Sequence, residues 1–315
     1  MTRMKGGLDL GGTKIQAVVT DGGTTVLGSA RHETPRQGGP EAVVYELAEA
    51  LRAALDDAGV EPMGLAGVGV GAPGSIDAKS GVVMQVANIE GWDAPFPLGP
   101  ALAAELGRAI TIGNDVNLAI DAEHRFGAGR DYDSFLGVYW GTGIGGGIVM
   151  DGRLLVGRGS AGEIGHICSE PGGQRCNCGL DGCVEAYAGR GALEARAREL
   201  VKERDTVLFE LMEKRGRDRL TSGIWVRALE AEDAVAEELM ARAVQALGVG
   251  IGSAVTLLDV EAVVIGGGLG ERVGPEWLGR IEAAANEHTF FRDPPVYRFA
   301  ELGDLAGAIG ASLLG

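Results

Sequence analysis

Residues 135–159 read FLGVYWGTGIGGGIVMDGRLLVGRG, and this stretch decides the fold. Short apolar runs broken by glycine, with an Asp151-Gly152 turn signal, predict a meander of strands. Residues 6–32 predict the same thing. Their runs are GGLDL, TKIQAVVT and TTVLGSARH, with Asp21-Gly22-Gly23 as the hairpin turn. A shift of 130 positions lays Gly11 on Gly141, Val18 on Ile148, Val19 on Val149, Asp21 on Asp151 and Gly22 on Gly152. Each copy carries a glycine-rich turn after its first strand and an Asp-Gly turn after its second. The pattern predicts a duplicated domain with two glycine hairpins facing each other.

Outward from the hairpins, strands alternate with helices. Pro40 opens an amphipathic helix with Val44, Leu47, Leu51, Leu55 and Ala58 on one face, and Gly59 ends it. Leu65–Val70 is a buried strand running into Gly71-Ala72-Pro73-Gly74. Ile110–Ile112 ends at Gly113-Asn114-Asp115, and a helix follows over Val116–Phe126. Residues 190–258 read as mostly helical, with few turn signals until Gly248. Glu261–Ile265 empties into Gly266-Gly267-Gly268-Leu269-Gly270. A helix near 275–287, a strand at Val296–Phe299 and a helix over Leu302–Leu314 complete the chain. This alternation is an α/β architecture. Ligands in such sheets sit beyond the carboxyl ends of strands, where the glycine concentrates.

Glycine supplies 54 of the 315 residues, about 17% against a typical 7%. With 11 prolines the total stays below the level of low-complexity disorder, and no Gly-X-Y period points to collagen. Hydrophobic residues make up 45%, so the glycine lies inside packed structure. A net charge of −16 argues against nucleic-acid binding. The N-terminal MTRMKGGLDLGGTK has no apolar core of a secretory signal, and no uncharged apolar run reaches 18 residues. The expectation is a cytoplasmic protein with no membrane partner.

Asp9-Leu10-Gly11-Gly12-Thr13-Lys14 presents backbone N–H groups to an anion, with the Thr13 hydroxyl beside them. Asp9 suits Mg²⁺ held through water. The setting is β-turn-β, which differs from a P-loop opening a helix. The second copy, Gly141-Thr142-Gly143-Ile144-Gly145-Gly146-Gly147, holds five glycines in seven residues. That would weaken a sheet unless a phosphate chain lies against it. Gly266, Gly267 and Gly268 suit close approach of a nucleoside, although strand-to-helix turns often carry glycine. Asp115 reads either as the N-cap of the following helix or as a general base for an attacking hydroxyl. Glu163 and Glu185, with His166, supply the carboxylates and imidazole that hold a polyol.

The four cysteines, Cys168, Cys176, Cys178 and Cys183, fall within 16 residues. In a chain of this length without an export signal, such clustering points to Zn²⁺ rather than disulfides. Cys176, Cys178 and Cys183 give three ligands of a closed, structural site. The fourth is Cys168 or His166, thiolate strength favouring Cys168 slightly.

Taken in order, these motifs resemble the ROK sugar kinases (repressors, open reading frames and kinases), most nearly their bacterial glucokinases. The resemblance runs from Asp9–Lys14 to Gly307-Ala308-Ile309-Gly310-Ala311. It includes Gly71–Gly74, Asn88 with Trp92, Asn114-Asp115-Val116-Asn117, Gly127-Ala128-Gly129, Ala161-Gly162-Glu163-Ile164-Gly165-His166 and the cysteine cluster through Glu185. It implies the actin-like ATPase (ribonuclease H-like) fold: two α/β domains with an active-site cleft between them. The smaller would be 1–115 plus about 300–315, the larger 116–299. It implies ATP-dependent phosphorylation of a hexose 6-hydroxyl, glucose foremost, with Asp115 as catalytic base. Asn88, Asn114, Glu163, His166 and Glu185 would contact the sugar. Asp9, Gly11, Gly12, Thr13, Lys14, Gly141, Thr142, Gly143 and Gly266–Gly268 would hold the nucleotide. The family moves the fourth zinc ligand to His166 and implies a homodimer or homotetramer. N-acetylglucosamine, N-acetylmannosamine, mannose and fructose share the same Glu-x-Gly-His motif as rival substrates. A sugar-sensing repressor would need a DNA-binding segment before the first strand, and a filament-forming actin relative would lack the sugar and zinc motifs. Two departures stand out: Gly113 replaces a common Glu, and Gly189-Arg190 stands where small residues with Ser are common. Neither is expected to touch the chemistry.

Overall fold

The computed structural model describes residues 4–84, 86, 89–290 and 293–315. In chain order the first elements are β1 (Met4–Leu10), β2 (Lys14–Thr20), β3 (Val26–Glu33), α1 (Gly39–Ala58), β4 (Leu65–Ala72), β5 (Ile76–Asp77), β6 (Val82–Val83), α2 (Leu98–Leu106), β7 (Ile110–Asn114) and α3 (Asp115–Phe126). Then come β8 (Phe135–Trp140), β9 (Ile144–Met150), β10 (Arg153–Leu154), α4 (Val184–Ala188), α5 (Arg190–Leu200), α6 (Leu208–Lys214), α7 (Ser222–Glu230), α8 (Ala234–Leu258), β11 (Ala262–Gly266), α9 (Gly274–Asn286), β12 (Val296–Phe299) and α10 (Ala306–Leu314). The chain forms two compact units. One comprises residues 1–130, 156–161 and 304–315, the other residues 131–155 and 162–303.

The two sheets repeat one design. The first runs β3-β2-β1-β4-β7 and the second β10-β9-β8-β11-β12. In each, the opening meander is antiparallel and the next two strands add in parallel. The duplication read from the 130-residue shift is therefore a duplication of topology. The α/β class expected from the alternation holds.

In the first unit Leu8, Leu10, Ile15, Leu47, Leu51, Val70 and Ile112 form a core under α1. The other face of the sheet takes α10 at very short range. A methyl added at Gly7 would lie 2.0 Å from the Ala308 carbonyl oxygen, and one at Gly69 would lie 1.9 Å from that of Ala311. Part of the glycine excess thus lets a helix lie on strands. In the second unit α8 runs unbroken to Leu258 and is the spine of the core. The turn signal at Gly248 is overridden by packing: a methyl there would lie 2.7 Å from Ala284 Cβ of α9. By length and composition α8 could cross a membrane, but most of its apolar residues pack inside this unit.

Candidate functional site

In the first unit, register brings two aspartates together. Asp9 pairs with Gly71, and Gly71 pairs with Gly113. At about 4.8 Å per strand, Asp9 and Gly113 stand about 10 Å apart with no side chain between them. Asp115 follows two residues later, its Cα 3.3 Å from where a Gly71 side chain would start. Electrostatics record the approach. The Asp9 carboxyl is pushed up to about 7, first by loss of water and next by the charge of Asp115. Lys14 opposes that rise and Asp304 adds to it. The first turn of α10 closes one side, since a methyl at Gly307 would lie 2.7 Å from the Asp9 carboxyl carbon.

Asn114, not Asp115, caps α3. Its Oδ1 accepts the Asn117 N–H at 3.0 Å, and its Nδ2 donates to the Gly74 carbonyl at 3.4 Å. Asp115 occupies the first helical position, where its Oδ1 accepts the Val116 N–H at 2.9 Å. The capping explanation of Asp115 falls away, because the preceding residue already does that work. Gly113 is explained locally: a methyl there would meet Leu118 side-chain carbons at 3.3 Å.

The first hairpin is closed by Gly11 N–H donating to Lys14 O at 2.9 Å. Thr34 Oγ1 donates to Gly11 O at 2.6 Å and braces it from β3's end. Gly12 and Thr13 are exposed. Lys14 Nζ pairs with Asp304 Oδ1 at 2.9 Å, a partner that sequence spacing gave no reason to suspect.

In the second unit, much of the glycine density has an internal cause. A methyl at Gly146 would lie 2.6 Å from Gly162 O, and one at Gly143 would lie 2.3 Å from Glu185 Oε2. These glycines seat the Glu163–His166 turn and the Glu185 side chain. Gly141 has open space, since a methyl there would meet nothing of the described residues within 4 Å. Packing within the chain thus accounts for part of the glycine density that a phosphate chain was expected to explain. Likewise Gly266 and Gly267 crowd Tyr139 and Trp140, and Gly268 alone has room, with Ser222 Oγ at 3.7 Å.

Glu185 stands in the first turn of α4, and its Oε2 accepts the Ile144 N–H at 2.8 Å. Glu163 is exposed at the start of a 3₁₀ turn over Ile164–His166. Asn88 lies outside the described residues.

His166 completes the cysteine cluster, and Cys168 stands apart from it. Ligand atoms of His166, Cys176, Cys178 and Cys183 all lie within 4.8 Å of one another. Cys176 Sγ is 3.9 Å from His166 Nδ1, and Cys178 Sγ is 3.6 Å from Cys183 Sγ. A tetrahedron with zinc–sulfur bonds of 2.3 Å has sulfur–sulfur edges of about 3.8 Å, so these atoms fit zinc. Burial pushes the Cys183 thiol up to about 12, with Cys178 and Cys176 adding to it. Ionising such crowded thiols calls for a cation. Cys168 is exposed, its thiol 3.8 Å from Asp181 O.

The ROK family model matches residues 5–315. The chain belongs to the ROK family. A glucokinase of Halalkalibacterium halodurans is 34% identical over 98% of this chain and 93% of its own. The solved ROK hexokinase of Thermus thermophilus is 37% identical, with a TM-score of 0.79 over 99% of this chain and 97% of that one. A ROK glucokinase of Streptomyces griseus, solved with glucose and AMPPNP, is 31% identical with a TM-score of 0.85, covering 98% of both chains. The fold is the actin-like ATPase fold of these ROK proteins.

One residue set aside from the ROK motifs touches them directly. Arg190 Nη2 donates to Thr142 Oγ1 at 2.8 Å, and the Arg190 N–H donates to Gly141 O at 3.1 Å. Gly189-Arg190, a departure not expected to touch the chemistry, thus lies against the hairpin that the motifs assign to phosphate. A lone arginine opening a helix carries no local signal for a hairpin 48 residues away.

Proposed function

We propose that this protein is an ATP-dependent hexose kinase acting on the 6-hydroxyl, with glucose as its substrate. The observation that carries the reading is the approach of Asp9 and Asp115 from the ends of β1 and β7, across the side-chain-free Gly71 of β4 between them. One carboxylate can serve the metal and the other the proton. In phosphoryl transfer little more is needed than positioning, charge stabilisation and a base. The full-length likeness to a kinase solved with glucose and AMPPNP supports the same reading.

In this scheme the Gly11–Lys14 and Gly141–Gly143 hairpins hold the phosphates through N–H and hydroxyl donors. The Gly266–Gly268 run takes the nucleoside. Asp115 accepts the proton of the 6-hydroxyl as that oxygen bonds to the γ-phosphorus, while the bond to the β-bridging oxygen breaks and ADP leaves. Asp115 sits in the first turn of α3, where the macrodipole stabilises negative charge. Asp9 would hold Mg²⁺ through water, and that ion offsets charge on the phosphate oxygens when bound. Asn114, Glu163, His166 and Glu185 hold the sugar hydroxyls, with Asn88 assigned there by motif alone.

His166, Cys176, Cys178 and Cys183 would hold a structural zinc ion, which pins the loop. With Nδ1 turned to the cluster, His166 keeps Nε2 for a sugar hydroxyl. The test is a panel of hexoses in a coupled ADP assay, run with Asp115→Asn. Glucose should give the highest kcat/KM, and the variant should lose about 10²- to 10⁴-fold in kcat while still binding glucose. Preference for an N-acetylated sugar would replace the substrate, and near-normal turnover by the variant would remove Asp115 as base.

A further inference from the structure

Arg190 is a cation with no carboxylate of its own. Nη1 donates to Ser222 Oγ at 3.0 Å and Nη2 to Thr142 Oγ1 at 2.8 Å. Both partners are neutral hydroxyls. The nearby carboxylate, Glu194, is already saturated. Its Oε1 takes Arg198 at 2.7 Å, and its Oε2 takes Arg219 and the Leu220 N–H, each at 3.0 Å. Among the described residues no carboxylate oxygen lies within ion-pair distance of the Arg190 guanidinium. Burial and the repulsion of Arg219 hold it below the ordinary arginine value, with Glu194 opposing. Arginine is almost never taken fully out of water without a charged partner, and Arg190 is partly buried. This one stays unmatched in a chain of net charge −16.

The two hydroxyls differ in what they can do next. A hydroxyl has one proton to give and two lone pairs to receive. Arg190 occupies a lone pair on each. Ser222 is buried at the start of α7 and serves as the anchor. Thr142 is exposed at the tip of the second hairpin, beside Gly141, where the chain leaves open space. With its oxygen accepting from the guanidinium, the Thr142 hydroxyl keeps its one proton to give to another acceptor. The arrangement is a donor backed by an unmatched positive charge, which suits an acceptor-only anion.

We propose that Arg190 is a positioning residue for the nucleotide phosphates: it fixes the Thr142 hydroxyl as a donor and supplies the positive charge behind it. The Ser222 anchor also reaches the Gly268 turn, where a methyl added at Gly268 would lie 3.7 Å from the same hydroxyl oxygen. This rests on the kinase reading above, and the two can fail separately.

The experiment is calorimetric titration of AMPPNP, tripolyphosphate and glucose into wild type, Arg190→Gln, Thr142→Val and the double variant, at two salt concentrations. Arg190→Gln should weaken AMPPNP and tripolyphosphate binding by about 10- to 100-fold and leave glucose within about twofold. Its salt dependence should become shallower. In the Arg190→Gln background, Thr142→Val should add less than about twofold, because the donor orientation is already lost. AMPPNP affinity within about twofold of wild type in Arg190→Gln, or independent effects of the two substitutions, would overturn the proposal. Thr142 is exposed, so its variant keeps the test open should Arg190→Gln fold poorly. In that case unchanged affinity in Thr142→Val overturns the proposal, and loss of AMPPNP and tripolyphosphate with glucose retained supports it. Arg190-dependent tripolyphosphate binding in a protein that phosphorylates no sugar would sink the kinase reading and keep this one.

Discussion

Glu185 Oε2 accepts a hydrogen bond from the Ile144 N–H at 2.8 Å. A carboxylate that the motif assigns to sugar is thereby fastened to the strand that follows the second hairpin. Glu185→Gln keeps an oxygen for Ile144 but loses the charge. It should raise the KM for glucose by about tenfold and leave AMPPNP affinity within about threefold. Glu185→Ala should lose both and lower stability by about 1 kcal/mol. Equal effects of the two variants on AMPPNP binding would show that the Ile144 bond does not matter to the hairpin.

The cluster of His166 with three cysteines should bind one zinc per chain, read by metal analysis of freshly purified protein. Cys168→Ser should keep the zinc, because Cys168 lies outside the cluster. His166→Ala should lose it or bind it at least about tenfold more weakly. Zinc lost from the cysteine variant and retained in the histidine variant would reverse the assignment.

Asp9 carries a pH dependence whose sign follows from its surroundings. Its carboxyl holds its proton to about 7 in the native protein, against 3.8 for an unhindered aspartate. Native protein therefore binds more protons than unfolded chain between those values, and stability falls as pH rises through that window. Loss of water on burial is the chief cause, with the charges of Asp115 and Asp304 adding to it and Lys14 opposing. In urea titrations without Mg²⁺, Asp9→Asn should gain on wild type from about pH 4 to about pH 7 and level off above. The full effect is at most about 4 kcal/mol. A gap independent of pH would refute this.

Two glycines of the second hairpin separate ligand approach from packing. Gly146→Ala places a methyl 2.6 Å from Gly162 O and should cost about 1–3 kcal/mol in unfolding experiments. Gly141→Ala meets nothing of the chain and should leave stability within about 0.5 kcal/mol. If phosphate passes against Gly141, that same variant should lose AMPPNP affinity. Retained affinity would place the phosphates elsewhere.

The sequence by itself determined the local structure and its repetition. Apolar spacing marked β1 to β3 and β8 to β10, Gly59 ended α1, and the shift that lays Gly11 on Gly141 exposed the duplicated topology. The cysteine spacing marked a metal loop, and the ordered motifs marked the family. These are legible because periodicity, turns and caps act within a few residues along the chain. Tertiary structure decided what depends on neighbours far apart in sequence. Register set Asp9 beside Gly71 and Gly71 beside Gly113, which brought Asp115 close enough to add to the rise of the Asp9 carboxyl. Folding gathered His166 with the three cysteines, as the resemblance implied and thiolate strength alone did not, and it placed Arg190 on Thr142. It also divided the glycines. A methyl added at Gly7, Gly69 or Gly146 would lie 2.6 Å or less from atoms of the chain, and one at Gly141 would meet nothing described within 4 Å. A glycine reads the same in either place, because what it makes room for lies on another element.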